Sequence, residues 1–198
     1  MTKREITDRF NFNLRRVENL VSIYETFAGS GQGRRSTDLE DILRAATVQL
    51  HATLEDFMRG IAVWKLPAAS DSALDEIPLV GGKKNQKFQL GALAKHRGKL
   101  VDDLISESVC SFLSRESYSY PSDIKETLTD LQITKSDILT AVDALKPFMN
   151  RRHNIVHQAD RETQKGLGYA KAKSISKQTV RNWIGQVRTL GVAVLNEL

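Results

Sequence analysis

The chain has 198 residues, of which 40% are hydrophobic and 27% charged, and its formal net charge is +5. This length suits one domain with a proper core, and the ordinary composition excludes wholesale disorder. The longest apolar runs are far shorter than the roughly 20 residues that a membrane-spanning helix needs, so we expect no membrane anchor. The single cysteine, Cys110, excludes an internal disulfide and a cysteine-rich zinc site. The polar N-terminus predicts no signal peptide, and we therefore expect a cytoplasmic protein.

Helical periodicity dominates the beginning of the chain. A first helix is predicted over Ile6–Phe27, because its apolar residues recur at spacings of three and four. These residues are Phe10, Leu14, Val17, Leu20, Val21 and Tyr24. Three glycines within 29–33 end the helix. Thr37 and Glu40 have the spacing of a capping box, which predicts that a second helix begins there and runs to about Trp64.

The middle of the chain is less regular. Prolines, glycines and serines break any period over 67–87, which predicts an inserted loop that is long for a compact domain. Helical spacing resumes over Leu90–Leu113 with a break at Gly98, and a short helix is expected over Ser122–Leu131.

The last third of the chain is again helical. The apolar pattern predicts a helix over Ser136–Asp160, and Pro147 within it should kink or restart that helix. The stretch 161–174 resembles a loop, and a final helix is predicted over Lys177–Leu198 with Ser176 as its cap. These elements together predict a single all-α domain over residues 1–198.

Positive charge is concentrated near the C-terminal end. The segment 144–188 contains ten lysines and arginines but two acidic residues, a net +8, so the rest of the chain carries −3. A basic segment of this kind is typical of proteins that bind a polyanion such as nucleic acid. A solvated helix face with a charged loop would have the same net charge.

Two of the four histidines lie close together and follow two arginines. The sequence Arg151-Arg152-His153-Asn154-Ile155-Val156-His157 places the two histidines four residues apart. His51 and His96 are isolated, and we interpret each as a surface or core histidine with its own hydrogen bonds.

This cluster contains the groups that RNA cleavage without a metal ion requires. The ribose 2′-hydroxyl must lose a proton as it attacks phosphorus, and the leaving 5′-oxygen must gain one. Histidine can do either near neutral pH, because its ordinary pKa is about 6.5. Arginine stays charged and its planar fork matches the phosphorane oxygens. Arg152, His153 and His157 therefore form a candidate catalytic set.

Helix geometry restricts how this set can act. His153 and His157 project about 40° apart and share a face, whereas Arg152 and His157 project about 140° apart on an unbroken helix. Either the helix bends, or two copies of the cluster meet across a two-fold axis. The second arrangement would make a homodimer part of the mechanism.

The same residues carry a resemblance to a known family. Arg152, four intervening residues and His157 match the Arg-x(4–6)-His signature of the HEPN superfamily, with the polar His153 after the arginine. The stretches 41–46 and 54–57 are similar to the early helix of RiboL-PSP-type HEPN domains. The resemblance extends from about Leu14 to Leu198 and is weakest over the loop 67–87.

The resemblance implies a HEPN-like helical bundle that forms a two-fold dimer and acts as an endoribonuclease without cofactor or metal. Its products would carry 2′,3′-cyclic phosphate and 5′-hydroxyl ends. Arg152 would stabilise the phosphate, His157 would be general base or acid, and His153 would fill the polar position. Such proteins are often toxins or antiphage effectors that cut tRNA or other RNA and are controlled by an antitoxin or another regulatory partner.

Some assignments stay open at this stage. Arg151 also fits the spacing, so it can replace or assist Arg152, and Asn154 is a candidate phosphate ligand. Three lysines that follow the motif are candidate contacts of the RNA backbone: Lys165, Lys171 and Lys173. Glu55 and Asp56 are candidates to orient an arginine of the motif. The alternative function is a non-catalytic HEPN module that binds RNA or a protein.

Overall fold

The structure, a computed structural model, describes residues 1–28, 37–82, 90–161 and 171–198, and for Thr37 the backbone alone. The α-helices in these ranges are α1 (Lys3–Ala28), α2 (Thr37–Lys65), α3 (Asp71–Leu74), α4 (Val101–Leu113), α5 (Pro121–Asp130), α6 (Ser136–Ala144), α7 (Lys146–Gln158) and α8 (Lys177–Glu197). Short 3-10 helices cover Leu66–Ala68 and Leu90–His96. Within the described ranges there is no strand, and the predicted all-α class is confirmed.

The long helices α1, α2 and α8 form the centre of the molecule, because each has an apolar stripe at helical spacing. Phe10 of α1 packs on Phe57 of α2 with ring centroids 4.3 Å apart. The same Phe10 ring lies against Gly191 of α8, where a Cβ atom would come within 2.6 Å of the ring Cζ atom. The absence of a side chain at Gly191 thus allows the three helices to approach closely.

The short helices α5, α6 and α7 complete this core with fully buried residues such as Ile124, Val142 and Phe148. A smaller cluster joins the end of α2 to α4 through Ala62, Leu66, Val109 and Leu113. No helix in the described ranges is both long enough and apolar enough to cross a membrane.

The predicted helix over Ser136–Asp160 consists of two helices. The first, α6, ends at Ala144, and Pro147 lies in the first turn of α7, where its missing N–H is not needed. The proline therefore restarts the helix. Ser176 caps α8 as predicted, since its Oγ accepts from the Thr179 amide at 3.0 Å.

Other sequence-based expectations have a mixed outcome. The 3-10 helix Leu66–Ala68 overlaps the start of the predicted loop 67–87, and the short α3 lies inside this loop. The single-domain assignment stays a prediction. The predictions for the glycine-rich stretch, for Lys165 and for most of the loop 161–174 fall outside the described residues.

Candidate active site

Helix α7 carries the whole Arg-His cluster and is continuous from Lys146 to Gln158. It ends in two residues with left-handed backbone, Ala159 at φ 49° and Asp160 at φ 54°. The Asp160 amide donates to the Asn154 carbonyl at 3.0 Å, which closes the end of the helix. This sharp turn directs the Asp160 side chain back into the protein, where it is 1% exposed.

The two histidines of α7 share a face, as their spacing predicts. The ring centroids of His153 and His157 lie 4.6 Å apart, and the ring planes are inclined by 44°. His157 is exposed and His153 is half-buried, and Val156 beside them is 47% exposed. The pair is therefore accessible to a substrate or to a second protein chain.

Arg151 belongs to a buried ionic network instead of the accessible surface. Its Nε lies 2.7 Å from Asp160 Oδ1, and its Nη2 donates to Asp160 Oδ2 at 2.7 Å. The same Nη2 also donates to the carbonyls of Lys173 at 2.7 Å and Ser174 at 3.2 Å. These contacts occupy much of the guanidinium fork, so Arg151 fastens the 173–174 segment to α7.

A second arginine, on α2, also binds Asp160. Arg44 of α2 is 6% exposed, and its Nε donates to Asp160 Oδ2 at 2.9 Å. Its Nη2 donates to the Lys173 carbonyl at 2.7 Å, and its Nη1 to Asp41 Oδ1 at 3.0 Å. Burial lowers the pKa of Arg44, but the hydrogen bonds to Asp160 and Asp41 outweigh this effect and raise it.

Glu40 joins the same network. Its carboxylate accepts from Ser174 Oγ at 2.9 Å, from the Ile175 amide at 3.3 Å and from Arg44 Nη2 at 3.3 Å. The expected capping partner, Thr37, has no described side chain. The network thus connects α2, the end of α7 and the segment before α8.

Arg152 is arranged differently from its neighbour. It is half-buried, its Nε is buried without a hydrogen bond, and no carboxylate among the described residues lies within ion-pair distance. Within the part of the chain that the structure describes, its guanidinium charge is therefore not compensated by a fixed acid.

The remaining predicted phosphate ligands lie around the network. Asn154 is half-buried and its carbonyl accepts the Asp160 amide. Lys173 contributes main-chain atoms, since its amide donates to the Asp160 carbonyl at 2.8 Å, whereas Lys171 is exposed. The structure therefore places Asn154, Lys171 and Lys173 near the end of α7, and their binding roles remain predictions.

His51 was not expected near the motif. It is 1% exposed, its Nε2 lies 3.1 Å from the Tyr118 carbonyl, and its Nδ1 lies 3.8 Å from Glu55 Oε2. Burial, and after it the charge of Arg152, lower the pKa of His51 to about 4. This electrostatic interaction joins residues about a hundred positions apart in the sequence, and no sequence pattern indicates it.

The acids expected to orient a motif arginine contact other residues. Glu55 lies 3.3 Å from Arg59 Nη2, and Asp56 lies 2.9 Å from Arg9 Nε. The acid that holds Arg151 is Asp160, which the sequence did not indicate as a partner of either arginine.

The basic zone is partly compensated by acids of α1. Lys177 and Arg181 of α8 pair with Glu25, and Arg188 pairs with Glu18. The uncompensated positive charge near α7 is therefore smaller than the residue count suggests. Among the described residues, no group of three or more His, Cys, Asp or Glu side chains is arranged to hold a metal ion.

Comparison with known proteins gives one match. The family model described as RiboL-PSP-HEPN matches residues 8–194, which is nearly the whole chain. Searches of curated proteins and of solved structures found no significant match.

Proposed function

Because this chain belongs to the RiboL-PSP-HEPN family, we propose that it is an endoribonuclease that cuts RNA without a metal ion. HEPN domains are often ribonucleases, which supports an RNA-related role. The observation that carries the proposal is the contrast between the two arginines of α7. Arg151 is held by Asp160, whereas Arg152 has no acid within ion-pair distance among the described residues and lies on the same helix as an accessible histidine pair.

In this mechanism one histidine removes the proton of the ribose 2′-hydroxyl as that oxygen attacks phosphorus. The bond to the 5′-oxygen breaks, and a second histidine returns a proton to that oxygen. The products are a 2′,3′-cyclic phosphate and a 5′-hydroxyl. Arg152 donates to the phosphorane oxygens, His157 acts as base or acid, and His153 assists from the neighbouring position.

A homodimer is part of the proposal. Since α7 is continuous from Arg152 to His157, ideal helix geometry places the two side chains about 140° apart. Two copies of α7 that meet across a two-fold axis through the exposed Val156 would bring arginines and histidines into one cleft. Lys165, Lys171 and Lys173 are then candidates to hold the RNA backbone. A toxin or defence effector of this type would need a neutralising partner.

The test compares wild type with Arg152→Ala and His157→Ala on total RNA, with mapping of the product ends. We expect 2′,3′-cyclic ends from wild type and at least a hundredfold loss in each variant, about the loss that removing one charge-stabilising donor causes. Arg188→Ala on α8 is the matched control, and it should cut normally.

Three outcomes would contradict parts of the proposal. Full activity in both variants would refute the site, and cleavage that EDTA abolishes would refute the metal-free mechanism. RNA binding by wild type without any cleavage would support the alternative of a non-catalytic module.

A further inference from the structure

Two buried nitrogen atoms without hydrogen bonds lie at the contact between α2 and α7. One is Nδ1 of His51, and the other is Nε of Arg152. The other ring nitrogen of His51 faces the Tyr118 carbonyl at 3.1 Å, and a carbonyl can only accept. In the neutral ring Nε2 therefore carries the hydrogen, and Nδ1 is an acceptor that lacks a donor.

The helix packing brings the Arg152 side chain toward this acceptor. Phe148 of α7 packs on His51 with ring centroids 6.1 Å apart, and Arg152 follows one turn later. Long side chains on a helix lean toward its N-terminus, which directs Arg152 over Phe148 toward His51. The electrostatic influence of Arg152 on His51 agrees with this placement. Glu55, the acid near Nδ1 at 3.8 Å, offers oxygens that cannot donate when ionised.

We propose that His51 is a positioning residue, whose neutral ring accepts a guanidinium N–H of Arg152 when Arg152 engages the RNA phosphate. This inference rests on the proposed function of Arg152. A neutral acceptor fixes the plane of the guanidinium and leaves its remaining N–H groups for the phosphate. A carboxylate in the same place would compensate the charge, as Asp160 does for Arg151.

Two substitutions separate this role from a structural one. His51→Gln retains an N–H close to the Nε2 position for Tyr118 but removes the acceptor at Nδ1. His51→Asn places an amide oxygen near the Nδ1 position but loses the donor to Tyr118. We expect His51→Gln to lower kcat roughly 10- to 100-fold with little change in KM, as loss of an orienting partner does.

For His51→Asn we expect activity within about fivefold of wild type but a lower melting temperature, because the Tyr118 carbonyl loses its donor. If His51 only supports the fold, the order of the two activities is reversed, and His51→Asn is less active than His51→Gln. That order, or a fully active His51→Gln beside an inactive Arg152→Ala, would overturn the inference while leaving the proposed function intact.

A second readout does not depend on cleavage. In nitrogen NMR of the full chain with inorganic phosphate as the probe, the Nδ1 signal of His51 should shift in Arg152→Ala but not in Arg188→Ala. An unchanged signal would refute the contact. If wild type cuts no RNA, the proposed function fails and this measurement still decides whether His51 holds Arg152.

Discussion

At the scale of single residues, the burial of His51 makes the stability of the fold depend on pH. Its pKa is about 4 in the fold, against an ordinary value of 6.5, so the unfolded chain binds more protons between these two values. The contribution of His51 to the free energy of unfolding is therefore fully present above pH 6.5 and is lost as the pH is lowered toward 4. This one group contributes a decrease of about 3 kcal/mol.

Urea unfolding of wild type and His51→Gln at several pH values measures this effect. For each protein the free energy of unfolding is plotted against pH. The difference between the two slopes isolates the effect of His51, because the carboxylates titrate in both proteins. Equal slopes between pH 6.5 and 4 would show that His51 is not buried as a neutral ring.

Single residues also explain why the sequence alone could not distinguish Arg151 from Arg152 as the candidate catalytic arginine. Both Arg151 and Arg152 fit the HEPN spacing, and the two are adjacent. What distinguishes them is Asp160, which pairs with Arg151 and whose buried side chain follows a turn of two residues with left-handed backbone at the end of α7. That turn, and the contact of Asp160 with Arg44 on a helix more than a hundred residues earlier, have no sequence signature.

At the scale of elements, the Asp160 network determines how α7 attaches to α2. Asp160→Asn would leave Arg44 and Arg151 buried without their shared acid, and loss of one partner of a buried ion pair costs about 3–5 kcal/mol. We expect a corresponding decrease in the free energy of unfolding. Asp41→Asn is the matched control, because the Asp41 side chain is 71% exposed and its ion pair should contribute less than about 1 kcal/mol. Similar losses in both variants would contradict the central role of Asp160.

The packing of α1 on α8 gives a second prediction at this scale. Gly191→Ala would place a methyl group against the Phe10 ring and should destabilise the protein by about 1–3 kcal/mol. Gly185→Ala, on the exposed side of the same helix and with nothing close to the new methyl group, should stabilise it by about 0.5–1 kcal/mol. Thermal unfolding of the two variants measures whether each substitution lowers or raises the stability of the protein. A destabilised Gly185→Ala would contradict this account of α8.

The helices themselves were largely predictable. The stripes of α1, α2 and α8 have strong helical periodicity, and the predicted ends differ from the observed ones by a few residues. Pro147 was predicted to kink or restart its helix, and the observed ends show a restart, because α6 ends at Ala144 and α7 begins at Lys146. The role of Glu40 was not predictable, because its partners Ser174 and Ile175 are distant in sequence.

At the scale of the whole molecule, the proposed dimer predicts complementation. Arg152→Ala and His157→Ala subunits, each inactive alone, should regain part of the activity when they are mixed after partial unfolding and refolding. A mixed dimer retains one arginine and one histidine from different chains, which the composite cleft requires. Sedimentation of wild type should show a dimer. Failure of the mixture to cut RNA, with mixed dimers present, would place a complete site in each chain.

The adjacency of the two arginines has a consequence for genetics. If the chain is a toxin, as proposed above, a screen for variants that no longer harm a host cell would recover substitutions at both Arg151 and Arg152, but for different reasons. Variants at Arg151 would be less stable and degraded in the cell, because Asp160 would lose one of its two arginine partners and the segment before α8 would lose its hydrogen bonds to α7. Variants at Arg152 would accumulate as folded protein that does not cut RNA. Immunoblotting of the surviving colonies measures how much protein remains. It would therefore distinguish variants at Arg151 from variants at Arg152 before any enzyme assay is done.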